Sequence, residues 1–212
     1  MSDGLLMRKA LSCVLEGLLR NELASVRGGA ARHAGMATAG LEPWTDDLHF
    51  GEQGDHSLGC DSLDQMRLAA ATNEMFHLYE VGQELALLSD PTFGSWLDAI
   101  QTAWRKGVFR ITFATSGSTG TPKRCTHDFA HLRTEIRFLA EVFAGRTRIV
   151  LFAPPHHIYG FLFGAMLPSV LVAATALAAT PGAGSLNDFL QAGDLVVSFP
   201  ERWHWLEGVM DL

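Results

Sequence analysis

Apolar positions recur at helical spacing through the first half of the chain and at strand spacing in parts of the second. Leu11, Val14, Leu15 and Leu18 fall at i, i+3, i+4 and i+7, which predicts a helix over about 5–26 with one face inward. A Gly/Ala-rich connection, 27–40, leads to a polar, acidic loop over 42–55 in which Trp44 and Phe50 are the expected anchors into a core. The stretch Leu58-Gly-Cys-Asp-Ser-Leu-Asp64 runs directly into a helical segment ending near Leu78, and either Asp61 or Ser62 can cap it. Leu63, Met66 and Ala70 share helical spacing there and are expected to face inward. After Asp90-Pro91-Thr92 comes a last helix with Phe93, Trp96, Leu97, Ile100 and Trp104 on one stripe. Four helical pieces predict a small bundle over residues 1–106.

Beyond residue 107 the pattern changes. Val108–Ala114 (VFRITFA) alternates and is rich in β-formers, which predicts a strand. A helix over about 128–144 and a strand over 148–152 follow, with Trp203 and Trp205 expected in the core. No charged residue occurs between Arg148 and Asp188, and Phe161–Thr180 is long enough to span a bilayer. Pro154, Pro155, Gly160, Gly164 and Pro168 interrupt that run. The buried helices and parallel strands of an α/β core give the same uncharged pattern. The expected fold class is therefore a small helical bundle followed by an α/β unit, 107–212, which the resemblance given below implies to be partial. The leucine-rich N-terminus is broken by Arg8, Lys9, Glu16 and Arg20, so no signal-peptide core is read there, and a cytoplasmic protein is expected.

Composition narrows the classes further. Hydrophobic residues make up 48% and charged ones 18%, which excludes a disordered or collagenous chain. Three unclustered cysteines, Cys13, Cys60 and Cys125, exclude a disulfide scaffold. The net charge of −7 argues against a nucleic-acid partner, and all of the imbalance sits in the first half. Between Glu42 and Asp90 eleven acids face one base, Arg67.

The segment Leu58–Leu63 resembles the phosphopantetheine attachment motif of acyl carrier proteins and peptidyl carrier domains, where Asp-Ser-Leu opens the second helix. The resemblance covers roughly residues 8–105, and it implies Ser62 as the site of a phosphopantetheine arm. A phosphopantetheinyl transferase would install that arm, and Asp61, Asp64 and Glu74 would form an acidic face for partner enzymes. A serine at a helix N-terminus suits this modification, because nearby N–H groups tolerate the charge of a phosphodiester. Read from the residues alone, the same triplet is also an ordinary helix cap. Cys60 beside it is expected to be a small buried residue.

The sharper motif is Thr115-Ser116-Gly117-Ser118-Thr119-Gly120-Thr121-Pro122-Lys123. Hydroxyls, glycines that let backbone N–H groups turn toward an anion, and one lysine are the ingredients of a phosphate-gripping loop. The spacing fails the Walker A pattern, since the fifth residue after Gly117 is Pro122 and Arg124 follows Lys123. The stretch closely resembles the Thr-Ser-Gly-Ser-Thr-Gly-x-Pro-Lys signature of the AMP-forming adenylating enzymes, which include acyl- and aryl-CoA synthetases; His127 also matches. Downstream, Ala153-Pro-Pro-His-His-Ile-Tyr-Gly160 resembles the Pro-x-x-His-x-x-Gly element of the same family, with His157 as the matching histidine. The resemblance implies ATP and Mg²⁺ at Thr115–Gly120 and Lys123. It implies a carboxylic acid beside His157, the candidate catalytic residue, with His157, Tyr159, Phe161 and Gly164 about the acyl or aryl pocket. Phe163 and Met166 are further candidates, core packing being the more ordinary role for most of these. A metal site at His156–His157 is not expected, because adjacent histidines should point apart and no further ligand has suitable spacing.

Later family signatures, a Tyr-Gly-x-Thr-Glu element, a ribose-binding aspartate, a hinge and a C-terminal lysine, are not found after Gly160. The resemblance therefore implies the front part of an ATP-dependent acid–thiol ligase, inactive by itself, with CoA or the arm on Ser62 as acceptor. The competing reading is a non-catalytic carrier or binding module with a relic adenylating segment. A nucleotide-binding kinase is a third reading, and it would release ADP rather than AMP.

Overall fold

The computed structural model describes residues 6, 8–26, 42–51, 54–115, 123–177, 189–200 and 203–204. Helix α1 (Arg8–Val26) carries the expected stripe, with Leu11, Val14, Leu15, Leu18, Leu19 and Leu23 all buried. Its polar side holds the acidic loop. Arg8 pairs with Asp46 at 2.8 Å and Asp98 at 2.5 Å. Glu16 takes Arg20 at 2.7 Å and accepts a hydrogen bond from the Trp44 N–H at 3.2 Å. Trp44 lies edge-on to Phe93, and Phe50 is fully buried against Trp96, so both aromatic residues anchor the loop as their positions predict.

Helix α2 (Ser62–Phe76) is capped by Asp61, whose carboxylate accepts from the Asp64 N–H at 2.7 Å. Its inward face differs from the sequence expectation. Leu63 and Met66 are each 51% exposed and Ala70 is exposed, while Leu68, Ala69, Thr72, Met75 and Phe76 are buried. Both sets have helical spacing. The second lies about one step around the helix, and it is the one that meets α1 and the following sheet. Helix α2 ends at His77, which takes a left-handed conformation (φ 55°) before a 3₁₀ turn, Leu78–Val81. Helix α3 (Ala86–Ser89) is short. Helix α4 (Phe93–Arg105) starts at Thr92, whose hydroxyl accepts from the Ser95 N–H, and its whole expected stripe is buried.

Strands β1 (Arg110–Thr115) and β2 (Lys123–Asp128) form an antiparallel pair, Arg110 opposite Asp128 and Thr115 opposite Lys123. The sequence reading predicted only the first. In β2 the run KRCTHD is polar throughout, mostly exposed and without alternation, so it carries no strand signal. Helix α5 (Phe129–Val142) returns to β3 (Arg148–Leu151). A helical stretch follows as α6 (Ile158–Phe161), a π turn (Leu162–Met166) and α7 (Leu167–Leu171). The irregular turn sits where Pro168 denies a donor to the Gly164 carbonyl. Strands β4 (Ala174–Leu177) and β5 (Leu195–Val197) flank β3 in a parallel sheet of order β4-β3-β5. The described part of the long uncharged run is thus a strand, a helical segment and a strand. No described helix is long and apolar enough to cross a membrane.

Buried residues from both halves form one cluster. Trp104 of α4 meets Phe129 of α5 edge-on, with ring centres 5.5 Å apart, and α1 packs against the π turn. Residue 107 therefore marks a change of secondary structure within continuous packing. Trp203, expected in the core, is 38% exposed because its short helical turn lies outside the main cluster, and Trp205 falls outside the described residues.

The two faces of α2 should separate cleanly in urea unfolding. Leu68→Ala is expected to cost about 2–4 kcal/mol, as a core truncation does. Leu63→Ala and Met66→Ala are each expected within about 0.5 kcal/mol of wild type. Equal losses at the two faces would reverse the assignment.

Candidate active site

The β1–β2 hairpin delivers the two ends of the hydroxyl-rich signature to one place. Ile111 and Phe113 face the core, and Thr115 emerges opposite Lys123, both exposed. The Thr115 hydroxyl donates to the Lys123 carbonyl at 3.3 Å. Ser116, Gly117, Ser118, Thr119 and Gly120 lie outside the described residues. An exposed ammonium beside hydroxyl donors is a set that suits a polyphosphate. His127 packs its ring 5.9 Å from that of Phe113 and supports the hairpin from within.

A second group gathers at the carboxyl end of β3. The Phe152 N–H donates to the Val197 carbonyl at 2.8 Å, so the parallel pairing extends one residue past the strand. The chain then turns through Pro154–His157, with the His157 N–H donating to the Pro154 carbonyl at 3.0 Å. His157 has extended backbone, and its carbonyl accepts from the Phe161 N–H, so it opens α6. This turn dictates the glycine of the motif. A β-carbon on Gly160 would lie 1.9 Å from the Pro154 carbonyl oxygen. The crevice beyond the carboxyl ends of parallel strands is where open α/β sheets characteristically hold ligands.

The two histidines differ sharply. His156 is buried, and neither ring nitrogen has a hydrogen-bond partner. Its Nδ1 would sit 3.2 Å from a β-carbon placed on Gly17 of α1. Burial, with a smaller contribution from His157, pushes its pKa down to about 3. His157 is exposed, and burial of part of its ring lowers its pKa too. The sequence expectation that adjacent histidines point apart is corrected here. Their rings meet nearly perpendicular with centres 4.6 Å apart, because the turn folds both toward the same side. Among the described residues no group of three or more His, Cys, Asp or Glu is placed to hold a metal ion.

The remaining candidates are spread along the fold. Tyr159 is 65% exposed, Gly164 is half-buried with its Cα against Leu151, and Met166 is buried. Phe161 is fully buried, its ring centre 5.3 Å from that of Phe113 and 6.3 Å from that of Phe129. Ser62 is exposed at the first position of α2, where a hydroxyl can be reached. Glu74, grouped with the acidic face by sequence, forms an ion pair with Arg124 of β2. Cys60 is buried as expected. Sequence reasoning passed over His77 and His156. The interest of each lies in neighbours far away in the chain, which spacing does not reveal.

Two measurements check this geometry. Gly160→Ala forces the turn off the Pro154 carbonyl and is expected to lower stability by about 2 kcal/mol or more; an unchanged melting temperature would show the turn to be looser than described. His156 gives a pH signature. The unfolded chain takes up its proton near pH 6.5, the folded chain only near 3, so stability is complete above about 6.5 and declines as pH falls. Between pH 7 and pH 5 the decline due to this residue is about 2 kcal/mol, and it should be absent in His156→Phe.

No family model matches the chain. Three curated relatives do, each named 4-coumarate–CoA ligase. That of Halorhodospira halophila is 34% identical over 194 residues, covering 91% of this chain and 47% of the relative. That of Rhodobacter capsulatus is 33% identical over 196 residues, covering 88% of this chain and 50% of the relative. That of Cereibacter sphaeroides is 34% identical over 213 residues, covering 95% and 51%. The chain thus spans about half the length of the curated relatives it matches. Among solved structures, an AMP-forming acyl-CoA synthetase/AMP-acid ligase II-like protein from Dyadobacter fermentans aligns at 27% identity. The alignment covers 49% of this chain and 30% of that one, with a TM-score of 0.32. The likeness to the three ligases runs through the helical half as well as the sheets, and it supports the adenylating superfamily that the two motifs resemble.

Proposed function

We propose that this chain contributes the nucleotide-gripping part of an AMP-forming acid–thiol ligase. The observation that carries the reading is the hairpin that sets Thr115 opposite Lys123 at the two ends of the signature loop. In the first step a carboxylate oxygen of the acid attacks the α-phosphorus of ATP, and the bond to pyrophosphate breaks. In the second, a thiol sulfur attacks the carbonyl of the acyl-adenylate, AMP leaves, and the thiol proton is released. Donors from Thr115 to Gly120 and the Lys123 ammonium would offset charge developing on the departing pyrophosphate. Mg²⁺, when bound, supplies further neutralisation on the phosphates. His157, at the carboxyl end of β3, would orient the acid, with Tyr159 and Gly164 about the pocket; Phe161, expected there from the motif, is fully buried against Phe113 and Phe129 and supports α6 from the core. CoA is the acceptor favoured by the names of the relatives.

A second reading concerns the acceptor. Ser62 is exposed, and Asp61 rather than Ser62 caps the helix, so the serine hydroxyl is not needed as the cap. Phosphopantetheine bound there would supply a tethered thiol, raising its effective concentration over free CoA. On this reading residues 1–106 are carrier-like, a transferase modifies Ser62, and partner enzymes meet the acidic face.

ATP–pyrophosphate exchange with a panel of aromatic and aliphatic acids tests the ligase. The chain as it stands and a version extended to the length of the relatives are both assayed, and exchange in the extended protein is the expected result. Lys123→Ala should reduce it about a hundredfold. Exchange in neither, with every acid, would reject the ligase. Incubation with a phosphopantetheinyl transferase and CoA, followed by intact mass, tests Ser62: a wild-type adduct missing from Ser62→Ala supports the tethered acceptor, and an unmodified wild type leaves CoA alone.

A further inference from the structure

We propose that His77 is a positioning residue for the nucleotide-gripping hairpin, acting through Thr112 and Thr126; the inference rests on the ligase reading above. His77 is buried where α2 ends and holds a left-handed backbone that non-glycine residues seldom adopt. Both of its ring nitrogens are engaged. The Nε2 shares a hydrogen bond with the Thr112 hydroxyl at 2.8 Å. The Nδ1 lies 3.0 Å from the Tyr79 hydroxyl and 3.1 Å from a Glu80 carboxylate oxygen. The Thr112 hydroxyl in turn meets that of Thr126 at 2.7 Å.

Thr112 and Thr126 are directly opposed on β1 and β2, three pairs before Thr115 and Lys123. The imidazole therefore holds β1 directly and β2 through the Thr112 hydroxyl, and this hydrogen-bonded chain favours the pairing that sets Thr115 opposite Lys123 at the far end. A slip of one residue would turn Lys123 to the opposite face of the hairpin. Two ion pairs flank the knot on the same side, Arg110 to Glu80 at 2.5 Å and Arg124 to Glu74. They are exposed and contribute little by themselves. The His77–Thr112 bond is buried, so its geometry is held by packing as well as by charge. Side chains from the helical half thus set where the lysine sits, although none of them approaches the loop in sequence.

The test measures KM for ATP and kcat in the exchange assay for four variants of the extended protein. Thr112→Val and His77→Asn break the knot, and asparagine tolerates the left-handed backbone. Thr112→Ser keeps the hydroxyl, and Thr126→Val removes the second link should Thr112→Val fail to fold. The expected result is a KM for ATP raised about five- to tenfold in the breaking variants, with kcat within twofold and Thr112→Ser near wild type. A purely structural role would lower the amount of active protein and hence kcat, leaving KM unchanged, and that pattern overturns the proposal. An extended wild type inactive with every acid would instead reject the ligase reading, and this inference with it.

Discussion

The turn at Pro154–His157 is squeezed between two glycine backbones, one that would crowd a β-carbon and one that leaves no room for it. On one side Gly17 of α1 lies against Pro155 and His156, and on the other Gly160 folds back onto the Pro154 carbonyl. Both glycines are helical, so their use here is close approach rather than unusual dihedral angles. Because α1 enters at this point, the helical half helps to shape the end of β3. The cost of this packing is an imidazole, His156, sealed away without a hydrogen-bond partner. Such a group stays neutral at ordinary pH, and its neighbour His157 is the one left to face solvent.

The attachment of the hairpin follows a different rule. Its inner face is apolar, with Ile111 and Phe113 buried, and its outer face carries charge. Burial of those two side chains supplies most of the attraction, since apolar area removed from water contributes about 25 cal/mol per Å² and exposed ion pairs contribute little. The polar knot at His77 adds direction. Apolar packing alone tolerates small slides, whereas a hydrogen-bonded chain from His77 to Thr112 and on to the opposed Thr126 does not.

Much of this was legible in the sequence, for identifiable reasons. The α4 stripe is long and strongly periodic, so its inward face was read correctly. The glycine- and hydroxyl-rich signature and the Pro-x-x-His-x-x-Gly element announce chemistry through residue type, and the ligase relatives agree with that resemblance. The inward face of α2 was misread because two stripes of that helix are apolar, and only the position of α1 and β1 decides between them. Strand β2 was invisible because a polar edge strand is specified by its partner rather than by its own pattern. The contact between His156 and His157 depends on a turn whose shape is set by Gly160.

Phe161 links these regions. It lies four residues after His157, yet its ring packs against Phe113 of the hairpin and Phe129 of α5. The aromatic ring that ends α6 therefore shares one packed layer with the strand that ends at Thr115. Close-packed interiors transmit displacements rather than absorb them. A shift of the hairpin would be felt at Phe161, and through the short α6 at His157. Thr115 at the end of β1 and His157 at the start of α6 are thus tied to a common core. A two-substrate reaction requires that arrangement, because both reactants must be placed to within a fraction of an ångström of each other.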